Sequence, residues 1–148
     1  MSEEIRSLTE FKTWVRRHVS PRVGPRVLFL LEGEVGAGKT ELVKTLCEER
    51  NLFEVQSPTF AFHHCYSGPD VRLHHVDLYR AKSEEDLEST GFWDLFQNED
   101  DTIIVEWADR LQGDVWPWNW TLVRIQIEKL EGERRRVSLL SRVGESPA

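Results

Sequence analysis

The sequence predicts an α/β protein, in which helices cover both faces of a central, largely parallel sheet with antiparallel strands and hairpins at its edges. Three observations carry that expectation. A short apolar segment, "RVLFLLEG", runs straight into a glycine loop and then into a helix-patterned stretch. Strand-like and helix-like segments alternate through the middle of the chain. Two pairs of alternating segments flank turn residues and read as hairpins. The 148 residues suit one domain over 1–148, long enough to bury a core without disulfides or metal staples. Only the tail, 143–148, reads as disordered.

The elements follow in order. "SLTE" at 7–10 is a capping box. Phe11, Trp14, Val15 and Val19 then recur at helical spacing, which predicts an amphipathic helix over 8–19. Pro21, Gly24 and Pro25 end it. The nearly all-apolar "RVLFLLEG" reads as a strand buried on both faces. Leu42, Val43, Leu46 and Cys47 make one face of a second helix ending near Asn51. "TFAFHHCY" and "VRLHHVDLY" flank the turn "SGPD". "SEED" at 83–86 is another capping box, opening a short helix towards Gly91. "TIIVEW" is a third buried strand. "TLVRIQIEKL" and "RRRVSLL" flank "EGE" as a second hairpin.

Composition narrows the function. A net charge of −7 repels nucleic acid, although Arg134, Arg135 and Arg136 could form a local anion site. Cys47 and Cys65 supply no disulfide framework and read as reduced, intracellular thiols. The acidic, polar start "MSEEIRSLTEF" has no leader pattern. The longest apolar run, 27–31, is far too short to span a bilayer. A soluble cytoplasmic protein is expected.

The loop "GEVGAGKT" at 33–40 fits G-x-x-x-x-G-K-[ST] in full, after a strand and before a helix. Bare glycine backbone lets successive N–H groups close on phosphate oxygens, and the helix N-terminus adds partial positive charge. Glu34, Val35, Gly36, Ala37, Gly38, Lys39, Thr40 and Glu41 are therefore nucleotide-binding candidates. Lys39 would reach the β- and γ-phosphates, and the Thr40 hydroxyl would bind Mg²⁺. A mere strand-to-helix turn would not require Lys-Thr. Hydrolysis or transfer also needs acids near the metal. Glu106 follows "TIIV" and Asp77 follows "LHHV", each at the carboxyl end of an expected strand, where ligands of open α/β sheets bind.

Among phosphate-loop classes, a GTPase needs N-K-x-D, and the nearest string, "NEDD" at 98–101, lacks the lysine. A small-molecule kinase would carry an arginine-rich lid, for which "RAKSEED" is a poor match. The ordered set "GEVGAGKT", "SPTF", "HVDLYR", "EEDLESTGFWD" and "VEW" resembles the TsaE family, also called YjeE. The resemblance covers about 7–140.

It implies a P-loop NTPase-like fold, ATP and Mg²⁺. It further implies an ATPase, weak alone and partner-dependent, that acts with TsaB and TsaD in threonylcarbamoylation of the adenosine beside the tRNA anticodon. By the same resemblance, Lys39 is the phosphate lysine, Thr40 and Glu106 are the magnesium contacts, and Asp77 is the acid of hydrolysis. Thr59 in "SPTF" would sense the γ-phosphate, Trp107 lies beside the site, and Thr9 and Arg134 meet the base and ribose. The chain departs from the family's "GDLGAGKTT" at Glu34 and Glu41, and Glu133 stands where the family has a basic residue. Two other readings stand beside the ATPase: a nucleotide-gated module that grips TsaB–TsaD, and a small metabolite kinase.

Two features lie apart from this. His63, His64, His74 and His75 crowd the first hairpin with Cys65. If Tyr66 pairs with Val71, His63 faces His74. Zinc binding is then conceivable, but paired strand histidines are the commoner case. His75 shares a strand face with Asp77 and would orient it. "VWPWNW" is either a stacking platform for RNA or a loop that closes the core, and the second reading is preferred.

Overall fold

A computed structural model describes residues 1–34, 36–55, 63–78, 91–107 and 115–144. The elements are β1 (Ser2–Ile5), α1 (Leu8–Trp14), β2 (Val27–Glu32), α2 (Lys39–Arg50), β3 (Phe53–Val55), β4 (His63–Ser67), β5 (Arg72–Asp77), β6 (Thr102–Glu106), β7 (Thr121–Lys129) and β8 (Arg135–Arg142). A π-helical turn (Val15–Val19) and a 3-10 turn (Ser20–Arg22) follow α1, and a second 3-10 turn spans Phe92–Gln97.

One eight-stranded sheet runs in the order β1-β8-β7-β2-β6-β5-β4-β3. Its centre, β7-β2-β6-β5, is parallel. Both flanks are antiparallel. This is the mixed α/β sheet expected from the sequence. Strand β2 is buried on both sides, as its unbroken apolar run requires. Alternation sends Phe29 and Leu31 to one face, where they pack with Leu73, Ile104, Val123 and Ile125 under α1 and α2. Leu28 and Leu30 go to the other face, with Val76, Ile103 and Val105. Among the described residues that second face is covered by Phe92, Leu95 and Phe96 of the 3-10 turn and by Trp116 and Trp120. So two tryptophans of "VWPWNW" close the core, while Trp118 stays exposed.

Several local expectations are refined. Ser7 caps α1 by accepting from the Glu10 amide at 3.2 Å. The reciprocal arm reaches one residue further back, where Glu10 accepts from the Arg6 amide at 2.8 Å. The first helix is α-helical only to Trp14 and then widens. The wider turn keeps Val15 and Val19 both fully buried. Helix α2 ends on Asn51, which takes the left-handed conformation of a helix C-terminus.

The first hairpin differs by two residues in register. Tyr66 pairs with Leu73, and His63 lies opposite Val76. The turn is closed by Gly68 N–H donating to Val71 C=O at 3.1 Å, which leaves Pro69 and Asp70 as its corner. A shift of two preserves the face of every side chain. His63 Nε2 and His74 Nδ1 therefore still meet, at 2.8 Å and diagonally, and His74 Nε2 lies 2.8 Å from Asp101. His63, His74 and Asp101 thus form a hydrogen-bonded chain; among the described residues no group of three or more His, Cys, Asp or Glu is placed to hold a metal ion. Burial raises both thiols, Cys47 to about 11, which keeps them protonated at neutral pH.

Edge strands β1 and β3 go beyond the sequence expectation, because "SEEI" and "FEV" are too short to show a strand period. The expected helix at 83–91, the segment "SPTF" and most of the tail lie outside the described residues. Gly144, just before the undescribed end, donates its amide to Thr121.

Candidate functional site

Parallel packing brings the carboxyl ends of β2, β6 and β5 to one edge of the sheet. At the end of β2 the chain must turn sharply into α2. Gly33 passes so close to β7 that a Cβ there would lie 2.6 Å from the Ile127 carbonyl. Gly38 has φ +128, a conformation open to glycine but strained for other residues, and a Cβ there would lie 3.4 Å from the Phe11 ring. Ala37 N–H closes the loop on Glu34 C=O at 3.0 Å. Val35 lies outside the described residues. Helix α2 then starts at Lys39, with its first intrahelical bond from Leu42 N–H to Gly38 C=O.

Lys39 is 6% exposed. Its Nζ donates to the Gly33 carbonyl at 2.7 Å and sits 3.9 Å above the Trp107 ring centroid. That stacking adds cation–π attraction in a desolvated setting. Trp107 reaches this position from the end of β6 with φ +62, unusual for so bulky a residue.

Asp77 and Glu106 are partners in the β5–β6 register, and Leu78 N–H extends the pairing to Glu106 C=O at 3.0 Å. Gly36, Gly38, Lys39, Thr40, Glu41, Asp77, Glu106 and Trp107 line one cleft of about 310 Å³. Gly36, Gly38, Lys39, Thr40 and Glu41 of the expected loop residues are thus brought together with both expected acids. Thr40 is exposed at the start of α2, while Glu106 is buried. The hydroxyl and carboxylate oxygens here are hard donors, too few to enclose an ion but suited to a Mg²⁺ that keeps waters and phosphate oxygens. A further acid, Glu32, is taken up by Arg124 at 2.7 Å and Gln126 at 2.9 Å. His75 Nε2 lies 2.6 Å from Glu106 Oε2, so His75 engages the acid of the neighbouring strand.

On the other side of the loop, Ser7, Leu8 and Phe11 face Gly132, Glu133 and Arg135 across a hollow of about 250 Å³. Glu34 marks the far rim of the loop, beside Glu32 and Trp107. Arg135 Nε donates to Ala37 C=O at 2.9 Å, tying the last hairpin to the glycine loop. Thr9 lines a different hollow, with Trp14 and Arg17, and Arg134 pairs with Glu4 at 3.1 Å. Thr9 and Arg134 do not line the hollow beside the glycine loop, whereas Leu8, Phe11 and Arg135 do. Strand alternation across 134–136 is the signal that separates Arg135 from its two neighbours. Thr59 lies outside the described residues.

A buried strand, a glycine loop closed by Lys-Thr and strand-end acids on a mostly parallel sheet define a P-loop NTPase-like α/β protein. A family model described as "Threonylcarbamoyl adenosine biosynthesis protein TsaE" matches residues 4–137. The chain belongs to the TsaE family. It is 31% identical over 126 residues to a tRNA threonylcarbamoyladenosine biosynthesis protein TsaE of Rickettsia felis, covering 82% of this chain and 70% of that protein. Similarity to the protein of the same name from Rickettsia typhi is 29% over 119 residues, 78% of each. The crystal structure of YdiB from Bacillus subtilis superposes with a TM-score of 0.67 at 22% identity, over 97% of this chain and 86% of that one, a likeness in fold.

Proposed function

We propose that the protein is a Mg²⁺-dependent, ATP-hydrolysing accessory protein of tRNA threonylcarbamoyladenosine formation, working in the cytoplasm with TsaB and TsaD as a single domain. The observation that carries the reading is the cleft where Lys39 and Thr40 at the head of α2 share one wall with Asp77 and Glu106. Family membership supplies the pathway. Main-chain amides of the loop and Lys39 bind the β- and γ-phosphates. Thr40 and Glu106 would hold Mg²⁺, which supplies charge neutralisation at the γ-phosphoryl group. Asp77 takes the hydrogen of the attacking water and orients it. Trp107 holds the Lys39 ammonium by its ring face and keeps bulk water from it.

The test is a pair of variants read by fluorescent-ATP binding and by phosphate release with the partners present. Lys39→Ala should lose ATP binding by at least tenfold. Asp77→Ala should bind ATP as the parent does and turn it over at least 100-fold more slowly. Lys39→Ala that bound like the parent would refute the assignment of the loop. Undiminished tRNA modification with Asp77→Ala would make nucleotide a conformational signal for the partners.

A further inference from the structure

His75 sits on β5 opposite Ile104, two residues before Asp77, which is opposite Glu106. Alternation puts the side chains of His75, Asp77 and Glu106 on the α2 face of the sheet. The His75 Nε2 to Glu106 Oε2 distance is 2.6 Å, with the two side chains 13% and 8% exposed. A carboxylate so buried is costly to desolvate unless it is hydrogen-bonded. An ionised carboxylate only accepts, so Nε2 carries the shared hydrogen. Glu106 Oε1 accepts no hydrogen bond among the described residues, while Glu106 itself lines the cleft with Thr40 and Asp77. On its outer side His75 is backed by His64, with ring centroids 6.2 Å apart, and His64 is itself held by Glu54 at 3.1 Å.

Resting on the nucleotide reading above, we propose that His75 is the positioning residue of Glu106: it holds Oε2 from behind and thereby presents Oε1 to the Mg²⁺ of the nucleotide. His75 is not among the residues that line the cleft, so it acts on the site through Glu106. Its hydrogen bond removes the rotational freedom that Glu106 would otherwise lose on binding the ion. Partners that orient metal ligands in this way commonly set metal affinity by about 10–100-fold.

The experiment uses the full chain and Mn²⁺ as the probe. Free Mn²⁺ is read by electron paramagnetic resonance in the presence of a non-hydrolysable ATP analogue, and fluorescent-ATP binding is read separately in EDTA. His75→Ala should weaken Mn²⁺ binding about tenfold or more and leave nucleotide binding in EDTA within about twofold of the parent. His75→Gln, which keeps an N–H donor, should recover part of the loss. In a Glu106→Ala background, His75→Ala should add no further loss. Mn²⁺ affinity of His75→Ala within twofold of the parent, with Glu106→Ala strongly impaired, would overturn the proposal. So would equal losses with and without metal, the mark of a general structural defect. A parent protein that binds no fluorescent ATP in either condition would overturn the nucleotide reading itself.

Discussion

At the scale of single residues, the site is held by pairings that remove charge or donors from water. Lys39 is satisfied by the Gly33 carbonyl and the Trp107 ring, and Glu106 by His75. A third buried arrangement lies on the opposite face, where His63, His74 and Asp101 form a chain. Burial first, and then the neighbouring His74, His64 and His75, push His63 down to about 4. Its pKa in the unfolded chain is about 6.5. The unfolded chain therefore takes up a proton below pH 6.5 that the folded protein refuses until about pH 4. The stability associated with neutral His63 is intact above pH 6.5 and is lost as pH falls towards 4. The urea midpoint of the parent should drop between pH 7 and pH 4.5, and that of His63→Gln should drop less. Parallel pH curves for the two proteins would contradict this. The histidine cluster was visible in the sequence, but its partners were not. Asp101 comes to His74 from the residue just before β6, 27 residues away.

At the scale of elements, the glycine loop shows how a backbone conformation limits composition. Gly38 sits at φ +128 against the Phe11 ring, with 3.4 Å left for a Cβ. Gly24 has an ordinary φ and open space around it. Gly38→Ala should cost about 1–3 kcal/mol and weaken nucleotide binding, because the φ is strained for any residue with a Cβ. Gly24→Ala should stay within about 0.5 kcal/mol of the parent. Urea denaturation of both variants checks the contrast, and equal losses would show that φ is not the cause. This loop was legible in the sequence because the motif is contiguous and its mechanism demands a strand before it and a helix after it. Strands β1 and β3 were not, since four and three residues are too few to show a period. The first hairpin was legible as a hairpin but not in register, which depends on which residues form the corner of the turn.

At the scale of the whole molecule, two cores sandwich the sheet, and their division of labour is testable. Trp120 is 1% exposed and packs edge-on against Phe96, with ring centroids 5.1 Å apart. It belongs to the face away from α2 and the glycine loop. Trp120→Ala should destabilise the protein by about 3–5 kcal/mol, seen as a lower thermal midpoint. Where the variant still folds, fluorescent-ATP affinity should stay within about threefold of the parent, because the loop is built on the other face. A stable Trp120→Ala that lost ATP binding would show the two faces to be coupled.

The sequence by itself determined the central strand, the glycine loop, the helix that follows and the two acids at strand ends. Each is written in a contiguous pattern of apolar period or turn chemistry. Strand order decided the rest. Only the folded sheet sets β5 beside β6, so that His75 meets Glu106 and not the Asp77 two residues along its own strand. Only the pairing of β7 with β8, beside β2, selects Arg135 from three consecutive arginines to grip the loop. Such contacts join residues about 30 to 100 positions apart. Local periodicity carries no information about which strands become neighbours, and a hydrogen bond forms only where neighbours are within about 3 Å.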